Sequence, residues 1–368
     1  MRPTEPVQPA EPVQPIEPLA PRYTSARLIA FANQALVATG LNPSMAADVA
    51  SVLVEGDLLG HDTHGLQLLA PYLGDLSQGK MKAAGEPTVL SERACVAAWD
   101  GNRLPGPWLV KQAIAWAQPR ARDFGSATVV IRHSHHIACL AAYLEEPARA
   151  GFMMTLACSD PATASVAPFG GRRAVFTPNP IAVGVPTGGD PMMIDISASI
   201  TTNGMTHRLQ KAAQPGAHAW WLDAQGQASN DPGVLATDPP GTLLPLGGLD
   251  AGHKGYGLAL MIEALTGGLA GFGRADPKSG WGATVYLQLH DPSAFAGLDA
   301  FTRQTDWIVE ACHESMPRLA SQPVRIPGER ALHRKREQSR EGVALHPGIM
   351  PALRPWAEKL QLDWPEAL

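Results

Sequence analysis

The sequence lacks the marks of several common protein classes. Its 368 residues include only four cysteines, and no two of them form a C-x-x-C pair. This argues against a disulfide framework or a zinc ribbon and favours a reducing cytoplasm. No apolar run reaches about 18 residues, so we expect no membrane span. The net charge of −5 gives no basic excess, so we expect no nucleic-acid partner.

The usual nucleotide and metal signatures are missing as well. There is no G-x-G-x-x-G between a predicted strand and a helix, and no G-x-x-x-x-G-K-[ST]. There is also no H-E-x-x-H or comparable ligand spacing. A dinucleotide would therefore bind outside a Rossmann fingerprint, and the sequence predicts no bound metal.

Proline dominates the first 22 residues, which repeat EPVQP. Because proline fixes φ and has no N–H to donate, residues 1–22 are predicted to form an extended, disordered tail outside the fold. The whole chain is 45% hydrophobic and 17% charged, which is typical of a globular protein with a substantial core.

Helical apolar spacing follows this tail. A first helix is capped by Thr24 or Ser25 and ends at Gly40, and a second runs from Asn42 to Gly60. Later segments predict an α/β unit: helix 107–125, strand 126–134, helix 135–151 and strand 152–159. The chain is again helical after about residue 305, and its basic run ERALHRKREQSREG is predicted to be a solvated helix face.

Two short stretches, GHDTHG (60–65) and IRHSHHIACL (131–140), hold five of the 12 histidines. An imidazole titrates near neutrality, so His64 suits acid/base work, although a capping or core histidine is the alternative. His61 and Asp62 are predicted to be structural. A metal site that combines these residues with the later histidines is the least favoured reading.

The second stretch follows a strand end, where ligands often bind in α/β sheets. Strand alternation places His133 and His135 on one face and Ser134 and His136 on the other. The three histidines are therefore not expected to act together as ligands.

Two further segments are candidates. Asp195 lies in an apolar strand, where it could orient a histidine or cap the strand end. GHKGYG (252–257) offers glycine amides and Lys254 ahead of a helix that starts near Tyr256. This arrangement could cradle a phosphate, or it could be an ordinary glycine-rich helix start.

Seven motifs resemble one family when taken in order. They are GHDTHG, SHHIACLAAY, APFGGRRAVFTPNPIAVGVP, MIDISAS, WWLDAQGQASNDP, LPLGGLDAGHKGYGLALMIEALTG and RIPGER. The pattern is similar to that of the non-Rossmann malate/L-lactate dehydrogenase family, which includes ureidoglycolate and L-sulfolactate dehydrogenases and Δ1-piperideine-2-carboxylate reductase. The resemblance covers residues 24–345.

The resemblance implies an NAD- or NADP-dependent oxidoreductase of 2-hydroxy or 2-oxo acids, or of cyclic imino acids, that works as a homodimer. It implies an α/β fold with a non-Rossmann, mixed and largely antiparallel cofactor sheet in residues 81–289. A helical domain is built from both chain ends, residues 23–80 and 290–368.

The resemblance also assigns roles to single residues. Thr63, His64 and Asp195 match a relay, and His136 matches an acid/base histidine beside the nicotinamide. Tyr72 matches a substrate-side tyrosine, and Arg208 is a candidate for the substrate carboxylate. The positions that match cofactor contacts are Ser134, His136, Ile137, Ala138, Thr177, Asn179, Gly252, His253, Lys254, Gly255 and Gly257.

Three positions depart from the family pattern. Leu68 stands where an arginine usually clamps the substrate carboxylate, Pro178 replaces a threonine, and Met205 replaces a lysine. Malate and lactate are therefore expected to be poor substrates. A non-catalytic relative that binds a nucleotide or metabolite, and a metal-dependent hydrolase, remain alternative functions.

Overall fold

The computed structural model describes residues 21–277 and 280–368. The predicted tail over residues 1–20 thus lies outside the described residues. The tail's predicted end at residue 22 is wrong, because strand β1 (Arg22–Tyr23) pairs antiparallel with β12 (Val343–Ala344). The Arg22 guanidinium also donates to the Gly342 carbonyl at 3.1 Å. These bonds fix the point where the chain enters the fold.

A seven-stranded sheet forms the centre of the molecule. Its strand order is β2-β3-β4-β11-β5-β6-β7. The β3–β4 pair is parallel, and the other neighbours are antiparallel. The predicted mixed, largely antiparallel sheet is therefore confirmed. The strands are β2 (Thr88–Arg93), β3 (Val96–Asp100), β4 (Ser126–Ser134), β5 (Met153–Ser159), β6 (Pro180–Val185), β7 (Met192–Ser197) and β11 (Ala283–His290), and a small second sheet holds β8 (Trp221–Leu222), β9 (Ala228–Ser229) and β10 (Thr242–Leu243).

Helices from both chain ends surround one side of this sheet, as the predicted fold class requires. Helix α1 packs against α2 and α10, and α2 packs against α9. The helices are α1 (Ser25–Ala38), α2 (Pro43–Leu59), α3 (Leu69–Ser77), α4 (Gly106–Phe124), α5 (Glu145–Arg149), α6 (Asn203–Lys211), α7 (Gly248–Glu263), α8 (Leu298–Glu314), α9 (Glu329–Glu341) and α10 (Ile349–Leu360). None of the helices in the described chain combines the length and apolarity needed to span a bilayer.

The caps that the sequence predicts are present at the first two helices. The Thr24 hydroxyl accepts from the Arg27 amide at 3.2 Å, and the Asn42 carboxamide oxygen accepts from the Ser44 amide at 3.0 Å. Gly60 ends α2 in the left-handed conformation at φ 88°, which glycine adopts without strain. These ends place the GHDTHG stretch directly after α2.

One hydrophobic core joins the helices to the sheet. Leu28 of α1, Leu53 of α2, Leu109 of α4 and Leu287 of β11 are all fully buried within it. Each such side chain stabilises the fold by roughly 1.5–3 kcal/mol. The division into domains at residues 80/81 and 289/290 stays a prediction.

The helix predicted over residues 135–151 is wrong in its first part. After β4 the chain stays non-helical until a short 3-10 turn at Leu140–Tyr143, which leads into α5. Ala138 has φ 60°, a conformation that ends any helix through it. A Cβ on Gly106 would lie 2.4 Å from the carbonyl oxygens of His135 and His136. Tight backbone packing against α4 therefore overrides helical propensity here.

The predicted helix start near Tyr256 is also wrong, whereas the phosphate-cradle role of GHKGYG stays a prediction. Residues 252–257 belong to α7, which begins at Gly248 and bends at Ala251. A Cβ on Gly255 would lie 2.4 Å from the Leu246 nitrogen, and one on Gly252 would lie 2.9 Å from the Phe169 ring. These two glycines therefore permit close helix packing. The His253 and Lys254 side chains are exposed on the helix.

We predict that Gly255→Ala lowers the free energy of unfolding by about 1–3 kcal/mol, because the new methyl group overpacks against the Leu246 backbone. Gly257→Ala is the matched control on the same helix, since nothing lies within 4 Å of its added Cβ. Alanine there should be neutral or stabilise by up to about 1 kcal/mol. Chemical denaturation measures both variants, and equal stabilities would contradict the packing role.

Candidate active site

The GHDTHG stretch forms a tight loop between α2 and the 3-10 turn Leu66–Leu68. The buried Asp57 carboxylate at the end of α2 accepts from the Leu66 amide at 2.7 Å. A Cβ on Gly65 would lie 2.4 Å from the Asp57 carboxyl carbon, so the second glycine of the motif lets the loop close over that group. Desolvation raises the pKa of Asp57 to about 7.

His64 is held at the inner side of this loop. Its Nδ1 shares a 2.8 Å hydrogen bond with the Thr63 hydroxyl, so the predicted Thr63–His64 contact exists. Desolvation, with smaller contributions from the positive charges of His61 and Arg208, lowers the pKa of His64 to about 4. The ring is therefore neutral at physiological pH and can accept a proton.

His136 is fixed in one tautomer. Its Nδ1 accepts from the Ala138 amide at 3.2 Å and lies 2.9 Å from the Tyr72 hydroxyl. A nitrogen that accepts from a backbone N–H carries no proton, so the neutral ring is protonated on Nε2. Burial lowers the pKa of His136 well below its ordinary value. His136 thus presents an N–H donor from a neutral imidazole.

Tyr72, expected on the substrate side, lies behind His136. It is fully buried, and its hydroxyl also lies 3.1 Å from the His136 carbonyl oxygen. Tyr72 therefore positions His136 in this structure, and its substrate-side role stays a prediction.

The rings of His64 and His136 are stacked at an angle of 24°, with their centroids 6.0 Å apart. On the other side, Trp281 stacks on His136 at 4.6 Å. The sequence reasoning missed Trp281. Its only signal was an aromatic residue between two glycines just before a strand, in SGWGATV.

The other two histidines of the second stretch face different partners. His133 Nδ1 lies 2.9 Å from the Asp100 carboxylate, and His135 Nε2 lies 3.0 Å from that of Asp75. The predicted alternation fails at His133, because its φ of 50° leaves the strand conformation. The histidines consequently do not converge on one ion in the part of the chain that the structure describes.

Asp195 does not complete the predicted relay with His64. Among residues 21–277 and 280–368 no hydrogen bond joins the two; Asp195 Oδ2 instead accepts from the Ala141 amide at 2.9 Å. Its ligand atoms lie within 4.8 Å of those of His61 and Cys139. The motif's first histidine, rather than its second, is therefore the neighbour of Asp195.

A cation reaches the loop from α6. Arg208 donates to the Asp62 carboxylate and to the Gln67 side-chain oxygen, both at 2.9 Å. Leu68, at the family's arginine position, is half-buried and packs against the core. Arg208 therefore supplies a guanidinium at the loop, which Leu68 cannot do. This guanidinium already pairs with Asp62.

A small cavity lies where the ends of β4 and β5 meet the start of β11, and His133 is part of its lining. Its lining includes Arg103, Ser134, Asp160 and Phe272. It adjoins the stacked rings, because Arg103 donates to the carbonyl of Trp281 at 3.0 Å. A cation, a carboxylate and an aromatic ring offer partners for a phosphate, a ribose hydroxyl and a base. Of these four, only Ser134 was predicted as a cofactor contact.

Four of the other predicted cofactor residues, Ile137, Ala138, Thr177 and Asn179, are buried. The Thr177 hydroxyl donates to the Asn179 carboxamide oxygen at 2.6 Å, and the Asn179 amide donates to Glu263 at 2.9 Å. Arg274 donates to the same carboxylate oxygen at 2.7 Å. Ile137 is fully buried, and its carbonyl accepts from the Tyr143 hydroxyl at 2.6 Å. Together with Ala138, these residues support the walls of the site.

Two neutral imidazoles beside such a cavity are suited to moving a proton while a neighbouring group exchanges a hydride. The fold and the site therefore define a dehydrogenase-type oxidoreductase with a non-Rossmann sheet. The family model described as malate/L-lactate dehydrogenase matches residues 23–354. The chain belongs to this family, and the resemblance found in the sequence is confirmed.

Named relatives agree with this assignment. The chain is 30% identical to an L-lactate dehydrogenase of Cupriavidus necator, over 94% of this chain and 99% of that protein. It is 32% identical to a (2R)-3-sulfolactate dehydrogenase (NADP(+)) of Chromohalobacter salexigens, over 88% and 94% of the two chains. A solved Δ1-piperideine-2-carboxylate reductase from Pseudomonas syringae has a TM-score of 0.80 and 25% identity, over 91% and 99% of the two chains.

Proposed function

We propose that the protein transfers a hydride between NAD or NADP and a small 2-hydroxy or 2-oxo acid, or a cyclic imino acid. The facing pair of neutral imidazoles, His64 and His136, is the observation that carries this proposal. Relatives named as acting on lactate, on sulfolactate with NADP and on piperideine-2-carboxylate support the substrate and cofactor classes.

The cavity at the ends of β4 and β5 carries side chains that suit part of a dinucleotide, and it would have to widen to admit one. Arg103 would face a phosphate, Asp160 a ribose hydroxyl and Phe272 a ring. When bound, the nicotinamide supplies the hydride acceptor or donor. The NAD or NADP choice stays open, because Arg103 and Asp160 favour opposite charges near the ribose.

The two histidines divide the proton chemistry. In substrate oxidation, neutral His64 accepts the hydroxyl proton, with the Thr63 hydroxyl holding its Nδ1. The Nε2–H of His136 donates a hydrogen bond to the same substrate oxygen, and the developing carbonyl strengthens that bond. In reduction, His64 that has taken a proton from solvent gives it to the substrate oxygen, while the hydrogen bond from His136 is the same in both directions. Thr63 thus supplies the orienting contact that the sequence assigned to Asp195.

Substrate choice depends on Arg208. A substrate carboxylate near His64 would meet a guanidinium that already pairs with Asp62 and Gln67. Competition with Asp62 weakens such a clamp compared with an unpaired arginine on the loop. This supports a substrate other than malate or lactate, in agreement with the departure at Leu68.

We also propose that the protein is a cytoplasmic homodimer. All four cysteines are free, as in a reducing compartment. Among the described residues of α8, only Thr305 is buried, while Trp307 is 66% exposed and Ile308 is 47% exposed. Large apolar side chains exposed side by side mark an interaction surface, and a second copy would cover them.

The decisive experiment is a turnover panel with NADH, NADPH and their oxidised forms against 2-hydroxy acids, 2-oxo acids and cyclic imines. We expect turnover of at least one member of the panel. The turnover rates of malate and lactate should be far below that of the best substrate, because Asp62 competes for Arg208. Absorbance of the reduced nicotinamide reports the rates. Calorimetric binding of a cofactor without any turnover would instead favour a non-catalytic relative.

A further prediction concerns the imidazole pair of His64 and His136. His64→Asn should lower kcat by about 10²–10⁴-fold, because the proton acceptor is lost, while affinity for the reduced cofactor changes little. His290→Asn is the control, since His290 lies at the opposite end of β11 from the site. A His64→Asn enzyme as active as the His290→Asn enzyme would exclude this role.

Another prediction concerns the oligomeric state. Light scattering should show a dimer for the native chain and a monomer for the double variant Trp307→Asp, Ile308→Asp, because two carboxylates disrupt an apolar interface. Val89→Asp is the control, since Val89 is 53% exposed on the edge strand β2, whereas α8 bonds to Pro186 and Gly188 beyond β6 on the other side of the sheet. A native monomer at micromolar concentration would disprove the dimer.

A further inference from the structure

Three side chains with metal-binding atoms meet next to the imidazole pair. His61 comes from the GHDTHG loop, Cys139 from the residue before the 3-10 turn, and Asp195 from β7. One nitrogen, one sulfur and one oxygen atom of these residues lie within 4.8 Å of one another. The three residues lie far apart along the chain, so no ligand spacing in the sequence indicates this cluster, and the sequence predicted no metal.

The contacts of these three side chains within the protein leave each of them with one atom that can bind a metal ion. Asp195 uses one oxygen, Oδ2, for the Ala141 amide, which leaves Oδ1. The Cys139 thiol lies 4.0 Å from that same Oδ2, at the outer limit for a weak donor, and its sulfur also accepts from the Ala141 and Ala142 amides. Within residues 21–277 and 280–368, the hydrogen bonds include none from the His61 ring. A ring nitrogen, a sulfur and a carboxylate oxygen thus remain available.

We propose that His61, Cys139 and Asp195 bind one divalent cation of the zinc type. This mixed nitrogen, sulfur and oxygen set is characteristic of Zn²⁺ and of its analogue Co²⁺. Tetrahedral bonds of about 2.0–2.3 Å need ligand atoms about 3.4–3.6 Å apart. Side-chain rotations that draw the atoms together by about 1 Å from their 4.8 Å limit satisfy this requirement.

The charges balance at such a site. Binding breaks the S–H bond of Cys139 and forms a sulfur–metal bond, and the proton leaves to solvent. A thiolate and a carboxylate then neutralise the two charges of the cation, which suits a partly buried position. Cys139 is buried, whereas His61 and Asp195 are half-buried, so the cation enters from their side and a water completes the coordination.

Cobalt spectroscopy tests the site without cofactor or substrate, so its result is independent of the proposed hydride transfer. Tag-free protein is stripped with a chelator and titrated with Co²⁺. We expect one equivalent to bind, with a sulfur-to-cobalt charge-transfer band in the near ultraviolet and intense tetrahedral bands in the visible. One equivalent of Zn²⁺ should abolish these bands.

Two conservative variants test the ligands, and circular dichroism checks that each is folded. Cys139→Ser should remove the charge-transfer band, and Asp195→Asn should weaken Co²⁺ binding at least tenfold. Cys312→Ser, a half-buried cysteine on α8, should leave both unchanged. The proposal is overturned if the native chain binds less than one equivalent, or if the band survives in folded Cys139→Ser.

Discussion

The site depends on the hydrogen bond from the Ala138 amide to Nδ1 of His136. This bond selects the tautomer of an imidazole that burial keeps neutral. Several separate elements hold the ring in place. Tyr72 from α3 reaches it from behind, Trp281 ahead of β11 stacks on one face, and Gly106 of α4 lets the backbone of residues 135–136 approach.

The facing loop is supported from the end of the chain. Gln338 of α9 donates to the carbonyls of Asp57 and Leu58 at 3.0 Å each, and Lys335 bonds Glu55 at 2.6 Å. The basic segment ERALHRKREQSREG, which was predicted to be a solvated helix face, therefore also holds the end of α2 in place. The helices from both chain ends thus fix His64, while α3, α4 and the segment before β11 fix His136. The proposed hydride transfer needs the two rings to keep this relative position.

Much of this arrangement could be predicted from local sequence signals. The caps at Thr24, Asn42 and Gly60 and the strand 126–134 follow from residue preferences that act over a few positions. The order of seven motifs identified the family, and the glycines around His64 indicated a close-packed functional loop. In each case, the signal lies in neighbouring residues of the chain.

The remaining features depend on contacts between distant residues. The left-handed φ of His133 and Ala138 breaks the strand and helix that propensity favours, because tertiary packing overrides it. Gly255 of α7 accommodates the Leu246 backbone, a role that its glycine-rich motif did not indicate. Asp195 faces His61, and Trp281 meets His136, through pairings that only the sheet order creates. A single sequence carries no direct signal for such pairings.

The protonation state of His136 in solution tests most directly whether the Ala138 amide fixes its tautomer. Long-range proton–nitrogen correlation spectra of labelled protein, assigned with the His136→Asn variant, resolve both ring nitrogens. We expect an unprotonated, hydrogen-bonded Nδ1 and a protonated Nε2 that stay unchanged as the pH falls from about 8 to about 6, where an ordinary histidine with a pKa near 6.5 is mostly charged. A proton on Nδ1, or an imidazolium at about pH 6, would contradict this expectation.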